Sequence, residues 1–266
     1  MPSAIETLSQ QIIANEPRTL EARADWLAKH FEVFTPEGPG PFPVVLMLHG
    51  CGGPRPFLQD MAKIATRAGA AAVLVDSFAP RFISRNAAYA TVCTGARLRG
   101  RERAGDFYAA MAWLRRQTWA DAHRIIAAGW SHGAWTIMDG LALHAGGEMR
   151  RATGLVDLGV EPLEGLAGAL LTYPYAGPTS FAGRRPWRMT PRSVAITGGR
   201  DVVVGYTRPR AALMRLRDHG MPIEMFHFEF ATHAFEDAHT GDILTRYNAE
   251  ATAREHVLLG DLIGAV

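Results

Sequence analysis

The clearest chemical signal in the chain is a five-residue segment, 129–133, which reads Gly-Trp-Ser-His-Gly. The apolar run 124–128 precedes it and the apolar-rich segment 134–138 follows it. A strand, a tight turn and a helix in this order expose the serine of a Gly-x-Ser-x-Gly motif as a nucleophile. The flanking glycines fit a turn that is too sharp for side chains. The pattern therefore predicts a nucleophilic serine, Ser131; an ordinary serine in a surface turn is the alternative.

A serine hydroxyl is a weak nucleophile, so Ser131 needs a general base and an acid that orients the base. In sites of this type the chain order is serine, acid, histidine, and each residue follows a strand. Asp201 follows the apolar segment 194–197 and a Gly-Gly-Arg turn, and His233 follows the predicted strand 222–230. These positions predict Asp201 as the orienting acid and His233 as the base. The alternatives are a turn or helix-cap aspartate and a loop histidine.

Backbone N–H groups are also needed to stabilise negative charge on the substrate oxygen, and small residues let the backbone approach closely. The first candidate is the N–H of His132, the residue after the predicted nucleophile. The second lies in residues 49–53, His-Gly-Cys-Gly-Gly, which we call the oxyanion loop. This loop follows the first buried apolar run, and its sequence predicts the N–H of Cys51 as the second donor.

The segments that must position these residues alternate between two patterns. Short continuous apolar runs are typical of strands buried on both faces of a parallel sheet; they occupy 43–48, 71–76, 124–128 and 167–172, with two further strands expected at 192–197 and 222–230. Helical patterns lie between them, at 57–69, 99–117, 132–145, 207–219 and 242–262. The alternation predicts an α/β fold with a mostly parallel, doubly wound sheet flanked by helices. We also expect an antiparallel edge strand at 31–34 and long site-building loops at 77–97 and 174–191.

The composition is that of an ordinary globular protein, since 48% of the 266 residues are hydrophobic and 20% are charged. No internal repeat or low-complexity linker divides the chain, so a single domain is expected over residues 31–266. Residues 1–30 are expected to form a helical extension. The formal net charge is +2 and no long block of like charge occurs, which argues against nucleic acid or an anionic membrane surface as a partner.

The location of the protein and the state of its cysteines are linked expectations. No apolar run approaches the roughly 18 residues of a membrane span, and residues 1–30 lack the apolar core of a signal peptide, so a cytoplasmic location is expected. Cys51 and Cys93 are too few for a disulfide framework and lack metal-ligand spacing. Free thiols are therefore the main expectation. A Cys51–Cys93 disulfide is the alternative, because both residues follow buried strands at the same edge of the predicted sheet.

Together these motifs resemble the dienelactone hydrolase family of α/β hydrolases. The resemblance extends over residues 31–262 and rests on 48–53 (Leu-His-Gly-Cys-Gly-Gly), 76–81 (Asp-Ser-Phe-Ala-Pro-Arg), 129–133, 199–201 (Gly-Arg-Asp) and 233–235 (His-Ala-Phe). It implies the α/β-hydrolase fold and a small cytosolic enzyme, monomeric or dimeric, that cleaves esters or lactones without a cofactor. The founding members use a cysteine as nucleophile, whereas this chain has Ser131. That difference favours a serine esterase acting on small carboxylic esters or lactones.

Three further residues are predicted to contact the substrate. Arg81 follows a predicted strand, and a guanidinium facing the pocket would pair with a carboxylate on the substrate. A surface arginine, or one paired with Asp76, is the alternative. Tyr175 and Trp187 lie in the aromatic-rich loop 174–191 and are candidates for lining an apolar pocket, although packing within the loop explains them equally well.

Two other functions remain open from the sequence. A peptidase of the same fold is one, although such enzymes commonly carry a propeller or a large lid, and this length leaves no room for a propeller. A non-catalytic binding module is the other; such proteins typically lose one residue of the serine, histidine and acid set, whereas this chain has a candidate for each. Haloalkane dehalogenation is disfavoured, because it requires an aspartate at the position of Ser131.

Overall fold

The computed structural model describes residues 16–159, 161–181, 184–239 and 244–266. Within these ranges, strands form a seven-stranded sheet in the order β1-β3-β2-β4-β5-β6-β7. The strands are β1 Phe31–Phe34, β2 Phe42–Leu48, β3 Ala71–Val75, β4 Ala120–Trp130, β5 Leu166–Thr172, β6 Arg192–Gly198 and β7 Ile223–Phe228. β1 pairs with β3 in the antiparallel direction, and every other neighbouring pair is parallel. The C-terminal ends of β2 to β7 therefore lie along one edge of the sheet.

Helices cover both faces of this sheet. They are α1 Leu20–Ala28, α2 Pro56–Arg67, α3 Arg85–Thr91, α4 Gly100–Leu114, α5 His132–Ala142, α6 Gly147–Thr153, α7 Thr207–Asp218 and α8 Ala249–Gly264, with a short 3₁₀ helix at Ala79–Arg81. Alternate residues of a strand point to opposite faces. Val44 and Leu46 join the core beneath α4, α5 and α7, whereas Val45 and Met47 join the core beneath α2 and α8. This burial on both faces explains the continuous apolar runs in the sequence.

The predicted fold class is confirmed, and so is the antiparallel edge strand at 31–34. The α3 and α6 helices were not predicted: α3 lies inside the segment 77–97, which we expected to be a loop throughout. The last helix, predicted from residue 242, begins at Ala249, and residues 242 and 243 lie outside the described residues. None of the helices in the described ranges combines the length and the apolar character of a membrane span.

The N-terminal segment is partly described. α1 packs on α4 through a small apolar cluster of Ala24, Leu27 and Ala109. The expected helical extension therefore contains a helix that is joined to the main body, while residues 1–15 lie outside the described residues. The division into an extension and a domain from residue 31 stays a prediction.

Candidate active site

Ser131 occupies the turn between β4 and α5, at the C-terminal edge of the sheet. Its backbone has φ 53° and ψ −107°, a conformation that a residue with a side chain rarely adopts. The N–H of Ser131 donates to the carbonyl of Thr172 at the end of β5, at 2.9 Å, which ties the turn to the neighbouring strand. Strained residues of this kind persist where the surrounding structure fixes them, and they are concentrated at functional sites.

Both glycines that flank Ser131 are required by close backbone contacts. A Cβ on Gly129 would lie 2.5 Å from the backbone nitrogen of Ala134. A Cβ on Gly133 would lie 1.9 Å from the carbonyl oxygen of Leu48, the last residue of β2. The turn can therefore be this sharp, and can pack this closely on β2, only without side chains at these positions.

The structure brings together the three residues that the sequence predicted as nucleophile, base and acid. His233 Nε2 lies 3.0 Å from Ser131 Oγ, and His233 Nδ1 lies 2.7 Å from Asp201 Oδ2. An ionised carboxylate only accepts hydrogen bonds, so Nδ1–H donates to Asp201 and Nε2 is left to accept from the serine hydroxyl. All three side chains are largely buried, and the N–H groups of Val203 and Val204 donate to the other oxygen of Asp201 at 2.9 and 3.0 Å.

The turn after β6 holds Asp201 against the segment that carries His233. A Cβ on Gly198 would lie 2.6 Å from the carbonyl oxygen of Ala231, and one on Gly199 would lie 2.3 Å from that of Glu229. The Gly-Gly sequence therefore allows this turn to contact the end of β7 directly. That contact brings the acid within hydrogen-bond distance of the histidine.

The oxyanion loop runs beside Ser131. A Cβ on Gly50 would lie 3.7 Å from Cβ of Ser131, in ordinary van der Waals contact. His49 fixes the loop, since its Nδ1–H donates to the carbonyl of Gly50 at 2.7 Å and its Nε2 accepts from the N–H of Ser77 at 3.3 Å. Burial, and then the charge of Arg103, lower the pKa of His49 well below its ordinary value, so the imidazole is neutral.

His132 begins α5, and the first N–H groups of a helix have no acceptor in a preceding helical turn. Its backbone N–H is therefore free of the helical hydrogen-bond pattern, as an oxyanion donor must be. Its imidazole points into the protein, where Nε2–H donates to the carbonyl of Leu98 at 2.7 Å. The role of His132 and Cys51 as oxyanion donors stays a prediction.

Cys51 and Cys93 form a disulfide, with their Cα atoms 5.1 Å apart, so the expectation of free thiols was wrong. Cys93 lies just after α3, the helix that the sequence analysis missed. The bond ties the oxyanion loop to the segment that contains α3. This pairing could not be deduced from spacing alone, because it depends on how the segment 77–97 folds back over the sheet edge.

A pocket of about 470 Å³ opens above Ser131 and His233. Its lining includes six aromatic side chains: Phe57, Tyr89, Trp130, Trp135, Tyr173 and Tyr175. Tyr175 therefore faces the pocket, as expected. Arg55 and Asp237 also line it and pair with each other, with Nε of Arg55 2.6 Å from Oδ2 of Asp237. Sequence reasoning missed this pair and Tyr89, because no motif marks them.

The structure places the other two predicted substrate contacts away from this lining. The guanidinium of Arg81 is buried and donates to both oxygens of Glu16 at 2.6 Å and to both oxygens of Asp106 at 2.8 Å. Its charge is neutralised inside the protein, which corrects the prediction that it faces the pocket. Trp187 packs in the hydrophobic core beneath α4 and α5, and this corrects its predicted role as well.

Two buried carboxyl groups lie beneath the pocket and were not anticipated. The Tyr173 ring lies 4.5 Å from the His233 ring, and the Tyr173 hydroxyl donates to Glu236. Glu255 accepts from Trp130 Nε1 at 3.0 Å and from Thr172 Oγ1 at 2.6 Å. Burial raises the pKa of Glu255 to about 7 and that of Glu236 well above its ordinary value. These acids therefore bind protons in the folded state at a pH where exposed glutamates are ionised.

Fold and site together have the form of an α/β hydrolase: a doubly wound sheet with a serine at the turn after a central strand, and an acid and a histidine after later strands. No protein-family model matches the chain, and no curated protein sequence matches it. Comparison with solved structures gives clear matches over most of the chain, at low sequence identity.

One match is a Klebsiella pneumoniae protein assigned to the dienelactone hydrolases, at 15% identity and a TM-score of 0.67, covering 89% of this chain and 92% of that one. A dienelactone hydrolase-like promiscuous phosphotriesterase from metagenomic libraries has 18% identity and a TM-score of 0.63, with 88% and 91% covered. Thermogutta terrifontis esterase 2, phosphonylated by cyclosarin, has 12% identity and a TM-score of 0.62, with 87% and 86% covered. The resemblance to dienelactone hydrolases is thus confirmed at the level of the fold.

Proposed function

We propose that this protein is a serine hydrolase that cleaves small carboxylic esters or lactones through an acyl-enzyme on Ser131. The observation that carries the proposal is the continuous hydrogen-bonded chain from Ser131 Oγ through His233 to Asp201. A nucleophile in contact with a base, and a base oriented by a third group, is the arrangement that activates a hydroxyl.

In the first half-reaction, His233 Nε2 takes the proton of Ser131 as Oγ attacks the ester carbonyl carbon. Asp201 holds the histidine in the tautomer that can accept this proton, and it stabilises the imidazolium that forms. The N–H groups of Cys51 and His132 stabilise the oxyanion, and each such donor contributes about 3–4 kcal/mol. The tetrahedral intermediate collapses, and His233 returns the proton to the leaving alcohol.

In the second half-reaction, His233 removes a proton from a water molecule, which attacks the acyl carbon. The same N–H groups stabilise the second oxyanion. Collapse breaks the bond to Ser131 Oγ, which takes the proton back from His233, and the carboxylic acid leaves. In a lactone the leaving alcohol stays attached to the acyl group, so a single hydroxy acid is released.

The pocket favours substrates without charge. Among the lining residues that the structure describes, Arg55 and Asp237 are the two with a permanent charge, and they neutralise each other. Transfer of an unpaired carboxylate into a site of this kind is costly. The size of the pocket and its aromatic lining suit a small acyl or alcohol group with apolar surface.

Several expectations about the wider function stay predictions: no cofactor or metal ion, no nucleic-acid or membrane partner, and a monomer or homodimer. A cytoplasmic location also stays a prediction. The disulfide between Cys51 and Cys93 argues against that location, because persistent disulfides are typical of oxidising compartments.

A panel of p-nitrophenyl acetate, p-nitrophenyl butyrate and dihydrocoumarin tests the proposal, with Ser131→Ala as the matched variant. We expect hydrolysis by the wild type and loss of hydrolysis in Ser131→Ala, whose fold is checked by circular dichroism. Asp201→Asn is expected to lower kcat by about 10⁴-fold, the effect of losing the correct histidine tautomer. Activity on peptides but not esters would favour the peptidase alternative, and inertness towards both would favour a binding module.

A further inference from the structure

The side chain of Arg103 lies beneath the oxyanion loop, fully buried, on α4. Its Nη1 lies 2.7 Å from the carbonyl oxygen of His49 and 3.1 Å from Nδ1 of His132. Its Nε donates to the hydroxyl of Ser77 at 2.9 Å. A single guanidinium therefore contacts both of the segments that supply the predicted oxyanion donors.

The hydrogen bonds define the protonation state of His132. Its Nε2–H donates to the carbonyl of Leu98, so Nδ1 carries a lone pair that accepts from Arg103. Burial, and then the positive charge of Arg103, lower the pKa of His132 to about 3, which keeps the ring neutral. Arg103 thus holds the first residue of α5, whose backbone N–H is a predicted oxyanion donor, through the side chain of that residue.

Arg103 is also a buried cation that makes no direct ion pair with a carboxylate of the described residues. Among the described residues, no carboxylate lies within ion-pair distance of its guanidinium, whereas Asp106 already pairs with Arg81. Burial lowers the pKa of Arg103 to about 10, so it still carries its charge at neutral pH. One of its terminal nitrogens, Nη2, is buried and has no hydrogen-bond partner in the part of the chain that the structure describes. Asp106 and Asp76 offset this positive charge only in part and without direct contact, and a buried positive charge favours nearby negative charge.

From this arrangement we infer that Arg103 is a positioning residue for the oxyanion hole, and that its buried charge favours the negative charge that develops on the substrate oxygen. It fixes the carbonyl of His49, two residues before Cys51, and the imidazole of His132, so that both N–H groups are held in place before the substrate binds. The inference rests on the proposed function. Preorganised donors of this kind act on the transition state more than on the bound substrate.

The test compares Arg103→Met, which loses charge and donors, with Arg103→Lys, which keeps the charge but lacks the planar fork that contacts Ser77 through Nε and the two histidines through Nη1. Arg101→Met is the matched control, because Arg101 lies on the same helix and its guanidinium stacks on the ring of Phe181. We measure kcat and KM on p-nitrophenyl acetate, the melting temperature, and the inhibition constant of a trifluoromethyl ketone, which forms an oxyanion on the serine.

For folded Arg103→Met we expect kcat/KM to fall by about 100-fold, the usual effect of losing one oxyanion donor. KM should change little, and the inhibition constant should rise in parallel with the loss of kcat/KM, because both report on the oxyanion. Arg103→Lys should be intermediate, and Arg101→Met should match the wild type.

An unchanged kcat in a folded Arg103 variant would overturn the inference, and so would a loss of kcat without any change in the inhibition constant. If Arg103→Met does not fold, the values of kcat and of the inhibition constant for Arg103→Lys decide whether the inference holds. If the wild type and the folded Arg103 variants are equally active, the inference about Arg103 fails and the proposed function is unaffected. A wild type that is inert towards both ester and ketone overturns both.

Discussion

The Cβ that Gly133 lacks would lie 1.9 Å from the carbonyl oxygen of Leu48, so the start of α5 rests directly on the end of β2. Leu48 is followed at once by the oxyanion loop, and Ser131 lies two residues before Gly133. The contact thus sets the distance between the predicted nucleophile and one of its predicted oxyanion donors. It is made between backbones, and flexible side chains cannot relieve it.

Gly133→Ala is expected to displace the oxyanion loop from Ser131 and to lower kcat/KM by about 100-fold, the cost of a displacement of about 1 Å at a reacting centre. Gly260→Ala is the control: it lies in α8, with open space around the new methyl group. That control should keep full activity and gain up to about 1 kcal/mol of stability from helix propensity. Equal activity of the two variants in an esterase assay would contradict the expectation.

Arg81→Met is expected to change stability rather than substrate affinity. It leaves Arg23 as the remaining guanidinium that contacts Asp106 and Glu16, and breaking a buried ion pair costs about 3–5 kcal/mol. Arg85→Met, at an exposed position on α3, is the control and should unfold like the wild type. Urea unfolding measures the difference. A normal unfolding free energy with a raised KM for esters would instead place Arg81 at the substrate.

Reduction of the Cys51–Cys93 bond is expected to lower the free energy of unfolding by about 2–4 kcal/mol, the usual contribution of a disulfide. It should also lower activity, because the bond ties the oxyanion loop to the wall of the pocket. Iodoacetamide should label no cysteine in the native protein and both after reduction. A variant with both cysteines replaced by alanine should not respond to reductant. Labelling of both thiols in the unreduced, air-oxidised protein would show that the bond is absent.

Glu255→Gln tests the buried carboxyl groups through the pH dependence of stability. The pKa of Glu255 is raised to about 7 in the folded state, against about 4.3 when unfolded, so the folded protein binds a proton that the unfolded chain releases. This contribution to stability is complete below about pH 4.3 and is lost as the pH rises towards 7. Glutamine cannot titrate, and its amide oxygen can accept the same hydrogen bonds from Trp130 and Thr172.

We therefore expect Glu255→Gln to be more stable than the wild type at pH 8, by roughly 1–3 kcal/mol, and to lose less stability between pH 5 and pH 8. Asp261→Asn, which removes an exposed carboxylate from the same helix, should follow the wild-type profile. Urea unfolding at several pH values makes the comparison. Parallel profiles for Glu255→Gln and the wild type would show that Glu255 is ionised in the folded state.

Local patterns in the sequence were sufficient to predict the sheet and to single out Ser131, Asp201 and His233, which the structure places within hydrogen-bond distance of one another. Buried strands produce continuous apolar runs, and the close contacts at Gly129 and Gly133 require glycine, so both leave a visible pattern. The proximity of Ser131, Asp201 and His233 follows from strands whose C-terminal ends share one edge of the sheet. These features depend on neighbours in the chain or on the general rules of the fold.

The features that escaped prediction depend on contacts between distant segments. Arg81 follows the end of a strand, which is a common position for a substrate-binding residue. Its partners Glu16 and Asp106 are 65 and 25 residues away in the chain, so no local sequence pattern predicts these ion pairs. The disulfide similarly depends on how α3 folds over the sheet edge. In the sequence, Arg103 has the pattern of an ordinary charged residue on a helix. Its burial beneath the oxyanion loop and its contact with His49 are seen only in the structure.

The most direct test of the central claim is covalent trapping by a fluorophosphonate, followed by intact-mass measurement and peptide mapping of the native protein. The account predicts one adduct per chain, located on Ser131, with the label absent from Ser131→Ala. An adduct on another residue, an adduct that persists in Ser131→Ala, or no adduct on a folded wild-type protein would contradict the claim that Ser131 is the nucleophile.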